Sequence, residues 1–205
     1  DAIEGIVRAV GPARTDWAST IVARAAGNPF YALELSRHLA AGRAPDEVPA
    51  GVLALLRAEV RRLPEAARAL LEVLAVARVA LPPGPLGAAA ATPPELLEPG
   101  LGALESSGLV VRREGRWSVA HDLVAEAVLA DLSVPAADRH QAIGRALAVA
   151  GPGWQGAALR HLLEAEDALG AGGLDAVAAR ALAELGQQGS YDDAASLGER
   201  YLGVA

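Results

Sequence analysis

A mainly α-helical chain carrying one short β-hairpin is what this sequence predicts, and three observations predict it. Apolar residues recur at spacings of three and four along most of the 205 residues. The composition is 52% hydrophobic but only 3% aromatic, so the core must be built mainly from Ala, Leu and Val, and alanine is the best helix former. The helical period breaks where residues 109–113 and 116–120 flank Glu114-Gly115, a strand–turn–strand signal.

Residues 1–10 read as a short amphipathic helix with Ile3, Ile6, Val7 and Val10 inward, stopped by Gly11-Pro12. Thr15 or Asp16 can cap a second helix to about Ala26, which places Ile21, Val22 and Ala25 on one side. Gly27-Asn28-Pro29 breaks the chain. Pro29 suits the first turn of a third helix, because its missing N–H would have no helical partner there. Phe30, Leu33, Leu35 and Leu39 populate that helix and Ala41-Gly42 ends it. After a polar linker over 43–49, Val52, Leu55, Leu56 and Val60 mark another amphipathic helix. Residues 1–60 thus form an all-helical unit.

Pro64 opens the next helix, with Ala67, Leu70, Leu71, Leu74 and Ala75 inward. Residues 81–85 are too rich in proline to continue it. A short helix over 86–91 follows, then one over 94–107 that must absorb the cost of Pro99 and Gly100. Gly108 ends it, the hairpin follows at once, and Asp122 can cap an apolar helix over 123–132. Three helices and then a two-stranded hairpin is the layout of a winged helix, here residues 61–132. So short a hairpin must lie on helices. Residues 133–205 read as helices over 135–149, 155–169, 174–185 and 191–202, divided by Gly151-Pro152-Gly153, by 170–173 and by 187–190. The last resembles the first half of a helical repeat. Ala178, Ala181, Ala194 and Ala195 would permit close helix approach.

The net charge of −7 makes the surface as a whole a poor match for DNA phosphates. Cys is absent, which excludes disulfides and thiolate metal sites. Charge, Gly or Pro interrupts every apolar run before it could span a bilayer, and no signal peptide pattern is visible. A cytoplasmic protein without membrane partners is the expectation. With no Met and an initial Asp, the chain is expected to be an internal piece of a longer protein.

Residues 26–35, AGNPFYALEL, resemble the Gly-x-Pro region of the signal-transduction NTPases with numerous domains. These are relatives of the AAA ATPases that include the large LuxR-type bacterial transcriptional regulators. Residues 57–73, 104–111 and 117–132 continue the likeness through their winged-helix domain, and the final helices look like entry into a tetratricopeptide-like region. The match covers nearly the whole chain and rests on the order of weak motifs. It implies a helical lid over 1–60, a winged helix over 61–132, and a helical linker with the start of TPR-like repeats over 133–205. The resemblance places Asn28 and Pro29 near the adenine. It matches His121 to the histidine of the Met-His-Asp motif, which reads the β-phosphate in the ADP-bound closed state; Ala120 departs from that motif's Met. No G-x-x-x-x-G-K-[ST] occurs, nor paired acidic residues ending a strand. ATP or ADP would therefore be bound by a longer parent, and this chain alone is expected neither to bind it nor to be an enzyme. Its expected partners are an upstream nucleotide-binding domain, a downstream helical-repeat domain, and a protein effector or a second copy.

Each candidate has a plainer reading. His121 can fill a gap beside Trp117 and cap a helix, and Pro29 is ordinary at a helix start. Neutral imidazole can nevertheless donate one hydrogen bond to phosphate, while Asp122 would repel it. Arg112, Arg113 and Arg116 form a basic hairpin able to touch DNA phosphate, as some wings do. The helix before it carries Glu95, Glu98 and Glu105 where base recognition needs Arg, Lys, Asn or Gln. Direct DNA binding is therefore the weaker alternative to a regulatory module, and a helical protein-interaction scaffold is the stronger one. His38, His140 and His161 share no metal-ligand spacing and are expected on solvated or half-buried faces. Ser19, Ser36 and Ser118 lack a nucleophile elbow, the acid pair Glu164 and Glu166 faces no visible partner, and residues 59–68 read as a charged helix face.

Overall fold

The computed structural model describes residue 21 and residues 29–44, 49–165 and 171–204. The expected helices over 1–10 and 15–26, Ile21 apart, lie outside the described residues, as do Asn28 and Glu166. In chain order the helices are α1 (Pro29–Ala40), α2 (Ala50–Arg62), α3 (Glu65–Ala77), α4 (Pro83–Ala89) and α5 (Pro94–Ser106). The antiparallel strands β1 (Val110–Arg113) and β2 (Arg116–Val119) follow. Then come α6 (Asp122–Leu129), α7 (Ala136–Ala148), α8 (Gln155–Glu164), α9 (Ala171–Gln187) and α10 (Tyr191–Leu202). The fold is mainly α-helical with one short antiparallel hairpin, consistent with a winged-helix-like arrangement over α3–β2.

The centre of the fold is α3. Its face was expected to bury five residues, but every residue from Leu70 to Ala77 is buried, including Glu72. The cause is its neighbours: α4, α5, α6, α7 and β2 all pack against it. At ~1.5–3 kcal/mol for each fully buried Leu, Leu70, Leu71 and Leu74 make this helix the main apolar anchor. One hydrophobic cluster then runs without interruption from Tyr31 in α1 to Leu197 in α10.

Several expectations are corrected. Leu81 pairs with Trp117 in an isolated antiparallel bridge, with both backbone hydrogen bonds at 2.8 Å, so the hairpin gains a third extended neighbour. This bridge anchors the strand that buries Trp117. Next to it, α4 starts at Pro83 rather than Leu86. Pro83 and Pro85 fall among the first helical positions, whose N–H groups have no intrahelical acceptor, so proline costs little there. Leu55 is 46% exposed, because α2 buries only the Val52–Leu56–Val60 stripe. Pro99 sits inside α5 without ending it, on the exposed side. Gly100 is the reason α5 lies so close to α3: a Cβ there would stand 2.9 Å from Leu70 Cδ1. The glycines expected to separate two C-terminal helices instead begin α9 at Ala171, and α8 ends at Glu164 rather than near 169. Ala178 and Ala181 are buried as expected, whereas Ala195 is exposed.

Candidate functional site

The hairpin turn sets the geometry on one side of His121. Glu114 and Gly115 have φ of 50° and 75°, the left-handed pair of a two-residue I′ turn, which fixes Arg113 opposite Arg116 and Val110 opposite Val119. Ala120 extends the pairing by donating its N–H to the Leu109 carbonyl at 2.9 Å. The chain then reaches His121 in extended conformation, φ −151° and ψ 150°, and turns into α6.

His121, not Asp122, therefore occupies the N-cap, and Asp122 is the first helical residue. The carbonyl of His121 accepts from Val124 N–H at 3.0 Å, but no side chain caps the helix. Asp122 is exposed and contributes through the helix dipole, which favours a carboxylate in the first turn. The His121 ring is half-buried. Burial holds its pKa below the usual histidine value, partly offset by a hydrogen bond to the Ala120 backbone and by the Asp122 charge. The neutral imidazole at the corner of the hairpin has one N–H, and the Ala120 backbone carbonyl is its partner.

Pro29 begins α1 as expected. It and His121 stand on elements linked through α2, which packs against both α1 and α6. A cavity of about 300 Å³ lies elsewhere, between the start of α3 and the α4–α5 turn, lined by Ala66, Ala69, Ala91 and Leu96 among others. It includes neither candidate. Among the described residues, the His121 corner by itself makes a weak site for a phosphate. The single N–H of neutral His121 is held by the Ala120 backbone, and the Asp122 carboxylate beside it opposes a phosphate.

The hairpin arginines are exposed, but two of them are engaged. The Arg112 guanidinium lies 5.5 Å from the Trp117 ring centroid and that of Arg116 lies 5.2 Å from Trp154, at the entrance to α8. The second contact ties the hairpin to the C-terminal helices. Glu95, Glu98 and Glu105 face solvent on α5.

The chain matches no family model, no curated protein and no solved structure.

Two clusters escaped the reading of the sequence. Glu72 accepts four hydrogen bonds: from Ser133 N at 3.1 Å, Ser133 Oγ at 2.8 Å, Arg139 Nε at 3.1 Å and Arg139 Nη2 at 2.7 Å. Its side chain is 1% exposed and that of Arg139 11%. The available signal was a lone carboxylate inside the apolar run from Leu70 to Ala77. The other cluster is His140 on α7 against His161 on α8, with Nδ1 atoms 2.8 Å apart. His161 is buried rather than solvated, and so is His38. Among the described residues no group of three or more His, Cys, Asp or Glu is arranged to hold a metal ion, and no helix is long and apolar enough to cross a membrane.

Proposed function

We propose that this chain is a regulatory coupling module of a larger ATP-dependent transcriptional regulator: a helical lid, a winged helix and the beginning of a TPR-like region. It transmits nucleotide or effector state and performs no chemistry itself. The observation that carries the reading is the mechanical continuity behind His121. From that corner, α6 packs on α3, and α3 is tied through buried Glu72 to Arg139 at the start of α7. Arg116 on Trp154 adds a second tie between the hairpin and the same helices. A contact made at His121 is thereby delivered to the C-terminal helices as a rigid-body displacement, the kind of two-state element that a switch requires.

In this reading the parent supplies the phosphate loop, encoded ahead of Asp1, and His121 exchanges its Ala120 hydrogen bond for one to the β-phosphate of ADP. Asp122 faces away from the phosphate. In the parent protein, His121→Ala weakens ADP binding tenfold or more, the ~1.5 kcal/mol of a hydrogen bond to a charged group, and raises basal activity. Isothermal titration with ADP measures the first effect and a reporter assay the second. Unchanged ADP affinity together with unchanged basal activity leaves His121 a structural residue only. A start codon immediately before Asp1 ends the reading outright.

A further inference from the structure

The contact between α7 and α8 carries a feature that packing alone does not require. His140 and His161 face each other with Nδ1 atoms 2.8 Å apart and ring centroids 5.0 Å apart, tilted by 38°. His161 is buried and His140 half-buried. We propose that this pair is an acid-sensitive latch, which holds α8 and the helices beyond it against α7 while the rings are neutral and releases them on double protonation.

The chemistry follows from the two facing nitrogens. In the neutral pair one Nδ1–H donates to the bare Nδ1 of the other ring. The first proton enters at the bare Nε2 of the donor ring and leaves the bridge intact. The second must enter at the accepting Nδ1. Two N–H groups then point at each other across 2.8 Å, each on a cation, and the bridge cannot survive.

The surroundings do little to rescue the charged state. On α8, Glu164 favours protonation of both rings, and Arg160 opposes it at His161. From α10, Arg200 pairs with Glu164 at 2.7 Å and occupies it. From α3, Glu72 is taken by Arg139, the neighbour of His140. The α4 helix, packed on α7, brings no titratable group, and α9, packed on α8, carries Asp175, Arg180 and Glu184, while the charges that act on the two rings are those of Glu164, Arg160 and His140. Burial first, then His140 and Arg160, push His161 down to about 4 from 6.5, and burial lowers His140.

The sign is fixed by linkage. Above the unfolded value of 6.5 both rings are neutral in either state, and the latch holds fully. Below it the opened chain binds protons that the closed pair refuses, so closure weakens as pH falls toward about 4. Hydrogen exchange on the 205-residue chain, corrected for intrinsic rates, reads this directly. Between about pH 7.5 and about pH 5, protection of α8 amides drops about thirtyfold from His161 alone, while α3 and the hairpin keep theirs. In His140→Gln/His161→Gln the drop disappears. Equal protection of α8 at both pH values overturns the latch, as does a double variant that keeps the wild-type slope. Should that variant fail to fold, ring nitrogen NMR of the unaltered chain decides instead. His161 protonating well below 6.5 and losing its Nδ1 bridge on doing so supports the latch, and both rings titrating near 6.5 overturns it.

Discussion

Glu114 shows how a single residue is asked to serve a geometry it does not prefer. The two-residue turn puts it at φ 50°, where a side-chain-bearing residue is crowded against its own backbone, and among the described residues its side chain gains no ion pair or hydrogen bond in return. Asn tolerates that region through local hydrogen bonding, and Asn-Gly is the strongest sequence for this turn. Glu114→Asn is therefore expected to stabilise the chain by about 0.5–1 kcal/mol, read as a rise in the urea midpoint at constant slope. A lowered midpoint would mean that the carboxylate serves the three arginines around it. At His121 the balance differs: an extended backbone costs nothing, and the ring's half-burial is what keeps it neutral and able to donate.

At the scale of elements, helices meet where side chains are small. Gly144 on α7 is the tightest case: a Cβ there would lie 2.6 Å from Leu162 Cγ and 3.1 Å from the Ala158 carbonyl. Leu162 can rotate, but the carbonyl cannot move without α8. Gly144→Ala is expected to cost about 1–3 kcal/mol despite alanine's better helix propensity, with a loss of several degrees in Tm. Pairing it with Leu162→Ala should recover part of that loss, and full additivity would show that the two sites do not touch. This geometry also marks what could be read beforehand. Periodicity located α2, α3, α5, α7 and α10 to within a few residues, and Glu114-Gly115 located the hairpin turn, because both are local signals. Periodicity on α2 could not separate Leu55 from Leu56, since burial depends on which face α6 covers. The Leu81–Trp117 bridge was invisible because its partners are distant in sequence and Leu81, in a proline-rich stretch, lies in no recognisable strand. For the candidate site, the hairpin–His121–α6 junction was legible from residue order. The exchange of cap between Asp122 and His121 was not, since it turns on one residue's backbone angles.

Across the whole molecule, the question is what makes the hairpin-bearing helices and the C-terminal helices one body. Apolar packing contributes where α7 lies on α3 and α4, but Glu72 is the one charged side chain nearly sealed from solvent among the described residues. An ion pair taken out of water gains little net stability, because desolvation offsets the attraction. Breaking it is another matter, since the surviving partner stays buried and unpaired. Arg139→Ala leaves Glu72 with only Ser133 and is expected to cost about 3–5 kcal/mol. Glu72→Gln can keep the bond from Ser133 N but sets an NH2 donor against Arg139 Nε and Nη2, so it should also be clearly destabilising. Replacing both partners by apolar residues, Glu72→Leu/Arg139→Met, should restore much of the stability, because no uncompensated charge remains. Denaturant midpoints of the four proteins test this. If Arg139→Ala costs no more than a surface change, under about 0.5 kcal/mol, the pair is not the tie described. If the double apolar variant regains stability but the parent regulator loses its response, the ion pair was kept for the geometry it imposes between α3 and α7. That outcome would connect Glu72 to the coupling proposed for His121, since both act through α3. Retained response in the same variant would assign the coupling to apolar packing and to the Arg116–Trp154 contact instead.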